Sequence, residues 1–272
     1  MQTLSAAPDK DHVLEIDSLS VSYGCARGVI SASIALERGE SLAIVGESGS
    51  GKTTLLRSIA GLLPRFARIE SGSMEFMGRD LIRVSAREMR SLRGSQIAYV
   101  FQNGQDSLDP LFKIGRQFDE VLRTHGREVS LSYEEDLLSR MGIDDPARIL
   151  DSVPSELSGG QCQRVAIALA VACGPKLLLA DEPTSAIDVE AQAKVERLLT
   201  DLNEGEGISL VTVTHDIDFA ARIASRIAVM KEGRVIEIGE AERIVEDPLE
   251  AYTRELVNAV PRMTREFREV MA

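Results

Sequence analysis

The chain has 272 residues, of which 44% are hydrophobic, and a formal net charge of −12. Its length supports a sizeable core, as one large domain or a core with a subdomain, while the acidic balance disfavours any partner held by phosphate neutralisation, so no nucleic-acid partner is expected. No stretch approaches the ~18 apolar residues of a bilayer-crossing helix, and Met1–His12 is polar without a signal-peptide core; a soluble, cytoplasmic chain is expected, reaching a membrane only through a protein partner.

Val13–Ser22 and Val29–Leu36 alternate apolar and polar residues, which predicts two strands of a small antiparallel sheet. Ser41–Val45 reads as a buried strand and Lys52–Leu63 as a helix. The loop between them, continuing into the helix, is Gly46-Glu47-Ser48-Gly49-Ser50-Gly51-Lys52-Thr53. Its glycines permit positive φ and close backbone approach, so successive N–H groups can wrap a polyphosphate at the positive end of the following helix. Lys52 can then reach the β and γ phosphates, the Thr53 hydroxyl can ligate magnesium, and Thr54 is a candidate further donor to the α-phosphate. Alone, this loop implies only a phosphate-bearing nucleotide, as in kinases, GTPases and motors.

Gly72–Phe76 and Gln96–Phe101 are further strand candidates. From about Asn103 to Cys173 strand signals vanish and short helices follow, including Ile114–Arg123 and Tyr133–Met141, which predicts a helical insertion in the core. Near its end, Leu157-Ser158-Gly159-Gly160-Gln161 precedes an apolar-periodic helix. Ser158 is a natural N-cap, and the free N–H groups behind it can also face an anion. Lys176–Ala180 predicts a central parallel strand. Asp181 at its carboxyl end would hold magnesium through water beside the cradle, and Glu182 would polarise the attacking water. Beyond it the pattern predicts helix Val189–Asn203, strand Ile208–Val213, helix Ile217–Ala224, and a strand pair Arg226–Met230 and Arg234–Ile238 around the turn Lys231-Glu232-Gly233. The 3 cysteines and 3 histidines are too scattered for a metal cluster, and the cysteines read as structural thiols of a reducing compartment.

The cradle, L-S-G-G-Q at 157–161, L-L-L-A-D-E-P-T-S-A-I-D at 177–188 and Thr214-His215-Asp216 occur in that order, and with them the chain from about Val13 to Pro261 resembles the nucleotide-binding subunit of an ATP-binding cassette (ABC) transporter. The resemblance implies an α/β fold: a P-loop NTPase (RecA-like) core with an antiparallel β subdomain and an inserted α-helical subdomain at about 103–173. It implies one nucleotide-binding domain over 13–261, between tails 1–12 and 262–272. ATP and Mg2+ are the implied cofactors. Tyr23 would stack on adenine, Gln102 would ligate magnesium with Thr53 and Asp181 and sense the membrane subunit, and His215 would hydrogen-bond the γ-phosphate beside the catalytic Glu182. Ser158, Gly159, Gly160 and Gln161 would cap ATP held by a second ABC ATPase subunit, identical or paralogous, and Ser185-Ala186-Ile187-Asp188 would touch that subunit.

Gly61–Pro64, Met89–Gly94, Asp247–Thr253 and Ala259-Val260-Pro261 are similar to segments of peptide, nickel and opine importer ATPases. That implies a peripheral subunit at the cytoplasmic face of the inner membrane, with permease subunits as partners and a solute-binding protein as an indirect one. Glu250-Ala251 stands where relatives carry His-Pro, and Asn103–Pro110 keeps only the Ser-Leu and Pro of their pattern, which leaves the cargo open. An exporter ATPase and a soluble non-transport ABC ATPase are the alternatives. The importer-like tail opposes the first; the acidic balance and the lack of an inserted coiled coil or second cassette oppose the second.

Overall fold

The computed structural model describes residues 12–185 and 187–259. Strands β1 (His12–Tyr23) and β2 (Ala26–Glu37) pair antiparallel, with Leu14 opposite Leu36 and Ile16 opposite Ile34. Their alternation turns one apolar face inward. After β3 (Ser41–Val45) and helix α1 (Lys52–Ile59), β4 (Ala67–Phe76) and β5 (Arg79–Asp80) complete a four-stranded sheet of order β2-β1-β4-β5. β4 begins earlier than its apolar end suggests, because Ala67–Ser71 pairs with the outer half of β1 while remaining largely in solvent. Helix α1 is shorter than the predicted Lys52–Leu63. Gly61 takes φ 62°, and the N–H groups of Gly61 and Leu62 turn back to Ser58 and Arg57, closing the helix before Pro64.

Helix α2 (Ala86–Leu92) starts from a reciprocal Ser85–Glu88 cap and leads to β6 (Ile97–Val100). Four helices follow before the next strand: α3 (Ile114–Thr124), α4 (Leu131–Arg140), α5 (Pro146–Asp151) and α6 (Gly159–Val171). The chain then runs through β7 (Leu177–Asp181), α7 (Val189–Thr200), a π-helical turn at Asp201–Gly205, β8 (Ser209–Thr214), α8 (Ile217–Ile223), β9 (Arg226–Lys231), β10 (Arg234–Glu240), α9 (Ala241–Glu246) and α10 (Ala251–Ala259). These strands form a sheet of order β10-β9-β3-β8-β7-β6, parallel except for β10.

Strands β3, β7 and β8 are buried on both faces, as their continuous apolar runs require. Leu42 and Ile44 enter a core with α1 and the antiparallel sheet, whereas Ala43 and Val45 enter one with the inserted helices and α7 and α8. The period of two in β3 therefore joins two cores through one sheet. The carboxyl ends of β3, β7 and β8 lie side by side, the position at which open parallel sheets bind ligands.

Within the helical insertion Glu134 is only 3% exposed, and its Oε1 has no hydrogen-bond partner. Burial, reinforced by the Asp119 carboxylate, pushes its pKa up to about 7. The folded protein therefore holds a proton here that the unfolded chain releases near 4.5. This contribution to stability is largest below that value and is lost as pH rises through about 7. Thermal melts between about pH 5 and pH 8 should show melting temperature falling with pH, and Glu134→Gln should flatten that fall. An unchanged pH profile in the variant would exclude this group as its source.

Candidate functional site

The loop from Gly46 to Gly51 joins β3 to α1, and at its two ends the backbone is too crowded for a side chain. Gly46 has φ 152°, and a Cβ there would lie 2.2 Å from the Met230 carbonyl oxygen; Gly51 has φ 102°, and its Cβ would lie 2.3 Å from that of Gly28. Glu47, Ser48 and Gly49 form the exposed crest. The Ser50 carbonyl accepts the Gly233 N–H at 2.9 Å, so the β9–β10 turn braces the loop from outside. Lys52 is 5% exposed and folds under the loop, donating to Gly46 O at 2.7 Å and Glu47 O at 2.8 Å. Burial lowers its pKa, against the opposing pull of the Glu182, Asp181 and Glu47 carboxylates. An ammonium held this way favours an incoming anion.

Thr53 and Asp181 meet across the strand ends: the Thr53 hydroxyl donates to Asp181 Oδ1 at 2.9 Å. The other Asp181 oxygen accepts the Tyr99 hydroxyl at 2.8 Å. Tyr99 was not among the predicted site residues. Burial and the Asp181 charge raise its pKa, so it remains a donor. The polar residue on β6 facing the acid at the end of the adjacent β7 was the available signal.

Glu182 has φ 46°, a left-handed conformation that is strained for a residue with a Cβ, and its N–H donates to Val213 O. Its Oε2 lies 3.2 Å from His215 Nδ1 and 3.4 Å from Gln102 Nε2. The predicted residues Gln102, Glu182 and His215, from β6, β7 and β8 ends, are therefore brought together. The Ser185 hydroxyl donates to Gln102 O at 3.1 Å, tying in the following loop. Tyr23 lies at the rim, its hydroxyl 2.9 Å from the Thr54 hydroxyl and its ring 5.9 Å from that of Phe66, a second aromatic not predicted for the site.

Residues 157–161 stand apart. Ser158 Oγ accepts the Gln161 N–H at 3.2 Å and Gln161 Oε1 accepts the Ser158 N–H at 3.0 Å, a reciprocal cap on α6. Gly160 also serves packing: a Cβ there would lie 2.7 Å from Ala191 Cβ on α7. Among the described residues no hydrogen bond joins this segment to the phosphate loop, while Ser158 and Gly159 are exposed. Ala186 of the neighbouring predicted contact loop, and Val260 and Pro261 of the tail motif, lie outside the described residues.

A glycine-rich phosphate loop opposite a strand-end Asp-Glu pair, on a parallel sheet with an inserted helical layer, defines a P-loop ATPase cassette. Residues 30–185 match the family described as ABC transporter. The dipeptide transport ATP-binding protein DppD of Escherichia coli K12 is 42% identical over 261 residues, spanning 93% of this chain and 80% of that protein. The oligopeptide transport ATP-binding protein OppD of Salmonella typhimurium LT2 is 38% identical over 278 residues, 99% of this chain and 83% of that one. Among solved structures, the dimeric post-hydrolysis state of the ATP-binding cassette MJ0796 with ADP and Pi superposes with a TM-score of 0.75 at 29% identity, covering 84% of this chain and 98% of that one. The chain belongs to the ABC transporter family, and it is an ATPase of that family.

Proposed function

We propose that this chain powers a peptide importer by hydrolysing ATP between its own phosphate loop and residues 157–161 of a second cassette, a copy or a paralogue. The observation that carries the catalytic part is the hydrogen-bonded group Thr53–Asp181 and Gln102–Glu182–His215 at the mouth of the phosphate loop. The similarity to DppD and OppD over nearly the whole chain supports peptide as cargo and import as direction, ahead of an exporter or a non-transport ATPase.

In this reading Gly46–Thr54 wraps the phosphates of ATP, with Lys52 moving from the loop carbonyls to the anion. Tyr23 packs on adenine. Thr53, Asp181 and Gln102 offer oxygen donors of the kind magnesium takes, and the 2.9 Å contact between Thr53 and Asp181 supports their holding one ion together. Bound there, Mg2+ would neutralise charge on the β and γ phosphates. Glu182 accepts the proton of the attacking water, and His215 orients Glu182 and contacts the γ-phosphate. The two exposed residues Ser158 and Gly159 offer α6's amino end to ATP on the facing cassette.

No helix among the described residues is long and apolar enough to cross a membrane. Docking on a permease at the cytoplasmic face, with a solute-binding protein acting from the other side, fits the exposed Phe101 and Leu111 around the Gln102–Pro110 segment. The test is uptake of a labelled dipeptide into proteoliposomes holding this chain with a second cassette, permease subunits and the solute-binding protein of one transporter. ATP should drive accumulation, and Ser158→Arg should bind ATP at wild-type affinity yet drive none. Undiminished uptake with Ser158→Arg would rule out the shared site, and ATP stimulation without peptide accumulation would rule out the cargo.

A further inference from the structure

The tail that resembles importer ATPases, Asp247–Thr253, carries a residue that reaches the phosphate loop. Tyr252, on the first turn of α10, is 7% exposed, and its hydroxyl oxygen accepts the Glu47 N–H at 3.2 Å across 205 positions of sequence. The Lys231 ammonium lies 4.5 Å from the centre of its ring. Glu47 is thus held twice, by Tyr252 at its N–H and by Lys52 at its carbonyl.

Helix α10 is fixed in turn. Glu237 on β10 accepts the Leu249 N–H at 3.0 Å and the Glu250 N–H at 3.1 Å, and Arg243 Nη1 at 2.9 Å. Burial alone would raise the Glu237 pKa, but these donors outweigh it and hold the carboxyl below its ordinary value. A charged, satisfied anchor therefore seats the start of α10, and Tyr252 extends from it to the loop.

We infer that Tyr252 is a positioning residue for ATP: its hydroxyl fixes the Glu47 peptide, and with it the entry turn of the phosphate loop, in the shape that receives the phosphates. The ring and its packing are separable from the hydroxyl, so Tyr252→Phe removes only the bond to Glu47. This rests on the phosphate loop being the ATP site.

Steady-state ATP hydrolysis by the assembled transporter should show KM for ATP raised roughly 3- to 10-fold in Tyr252→Phe, the scale of one hydrogen bond, with kcat within about twofold of wild type. Glu237→Gln, which weakens the anchor, should raise KM in the same direction. Amide exchange in the ATP-free protein should quicken in the peptide containing Glu47 and remain unchanged in β7 and β8. Unchanged KM in Tyr252→Phe, or a fall in kcat at unchanged KM, would overturn the inference. If Lys52→Ala abolishes ATP binding while Tyr252→Phe changes nothing, this inference alone fails; if Lys52→Ala binds ATP normally, the ATP site itself is misplaced.

Discussion

Replacing Glu182 by Gln is expected to lower ATP turnover of the assembled complex by about 10²- to 10⁴-fold, the scale of a lost general base, while ATP affinity stays close to wild type. Gln keeps the size of the side chain and can still hydrogen-bond, so the Gln102 and His215 contacts at 3.4 and 3.2 Å have partners in the variant. What it cannot do is take the proton from water. The backbone at Glu182 sits at φ 46°, a conformation that costs about 1–3 kcal/mol in a non-glycine residue. Ser18, Ser31, Met77 and Glu232 share this conformation, so the strain at Glu182 takes its meaning from its place at the end of β7, with the N–H fixed to Val213 and the carboxylate beside Gln102 and His215. Phosphate release measured at saturating ATP and Mg2+ checks this, and wild-type turnover in the variant would remove Glu182 from the role of base.

Much of this site was legible because its residues are local in sequence and chemically unusual. Gly46–Lys52 must be a loop with glycines wherever a Cβ would strike the Met230 or Gly28 carbonyl, and Lys176–Ala180 could only be a buried strand, which puts Asp181 and Glu182 at its mouth. Two kinds of element escaped. Tyr99 and Tyr252 act through single hydroxyls, to Asp181 and to the Glu47 N–H, and nothing in an apolar periodicity marks such a partner 82 or 205 positions away. The helices α2, α5, α9 and α10 each bury only two or three side chains, too few for a period of 3.6 to stand out. The end of α1 was overrun for the opposite reason, since Leu62 and Leu63 continue the apolar pattern after Gly61 has already turned the chain. Ser158–Gln161 carries two meanings at once. Its reciprocal cap and the Gly160–Ala191 approach explain these residues within one chain, and only the exposed Ser158 and Gly159 leave room for a role across an interface.

The second large effect belongs to Lys52. Its ammonium is buried against the Gly46 and Glu47 carbonyls, with three carboxylates near enough to oppose the cost of that burial. Two charge-assisted bonds to phosphate oxygens would replace two bonds to neutral carbonyls, and each is worth about 1.5–3 kcal/mol. Lys52→Ala should therefore weaken ATP binding by about a hundredfold or more. The fold should survive, because Lys52 begins α1 and alanine suits that helix; a melting curve close to wild type would show it. Titration of ATP with Mg2+ into the purified chain, wild type beside Lys52→Ala, bears on the phosphate loop without any partner subunit. Saturable one-site binding that disappears in the variant is the predicted result, and equal affinity in the two proteins would contradict the placement of ATP on Gly46–Thr53.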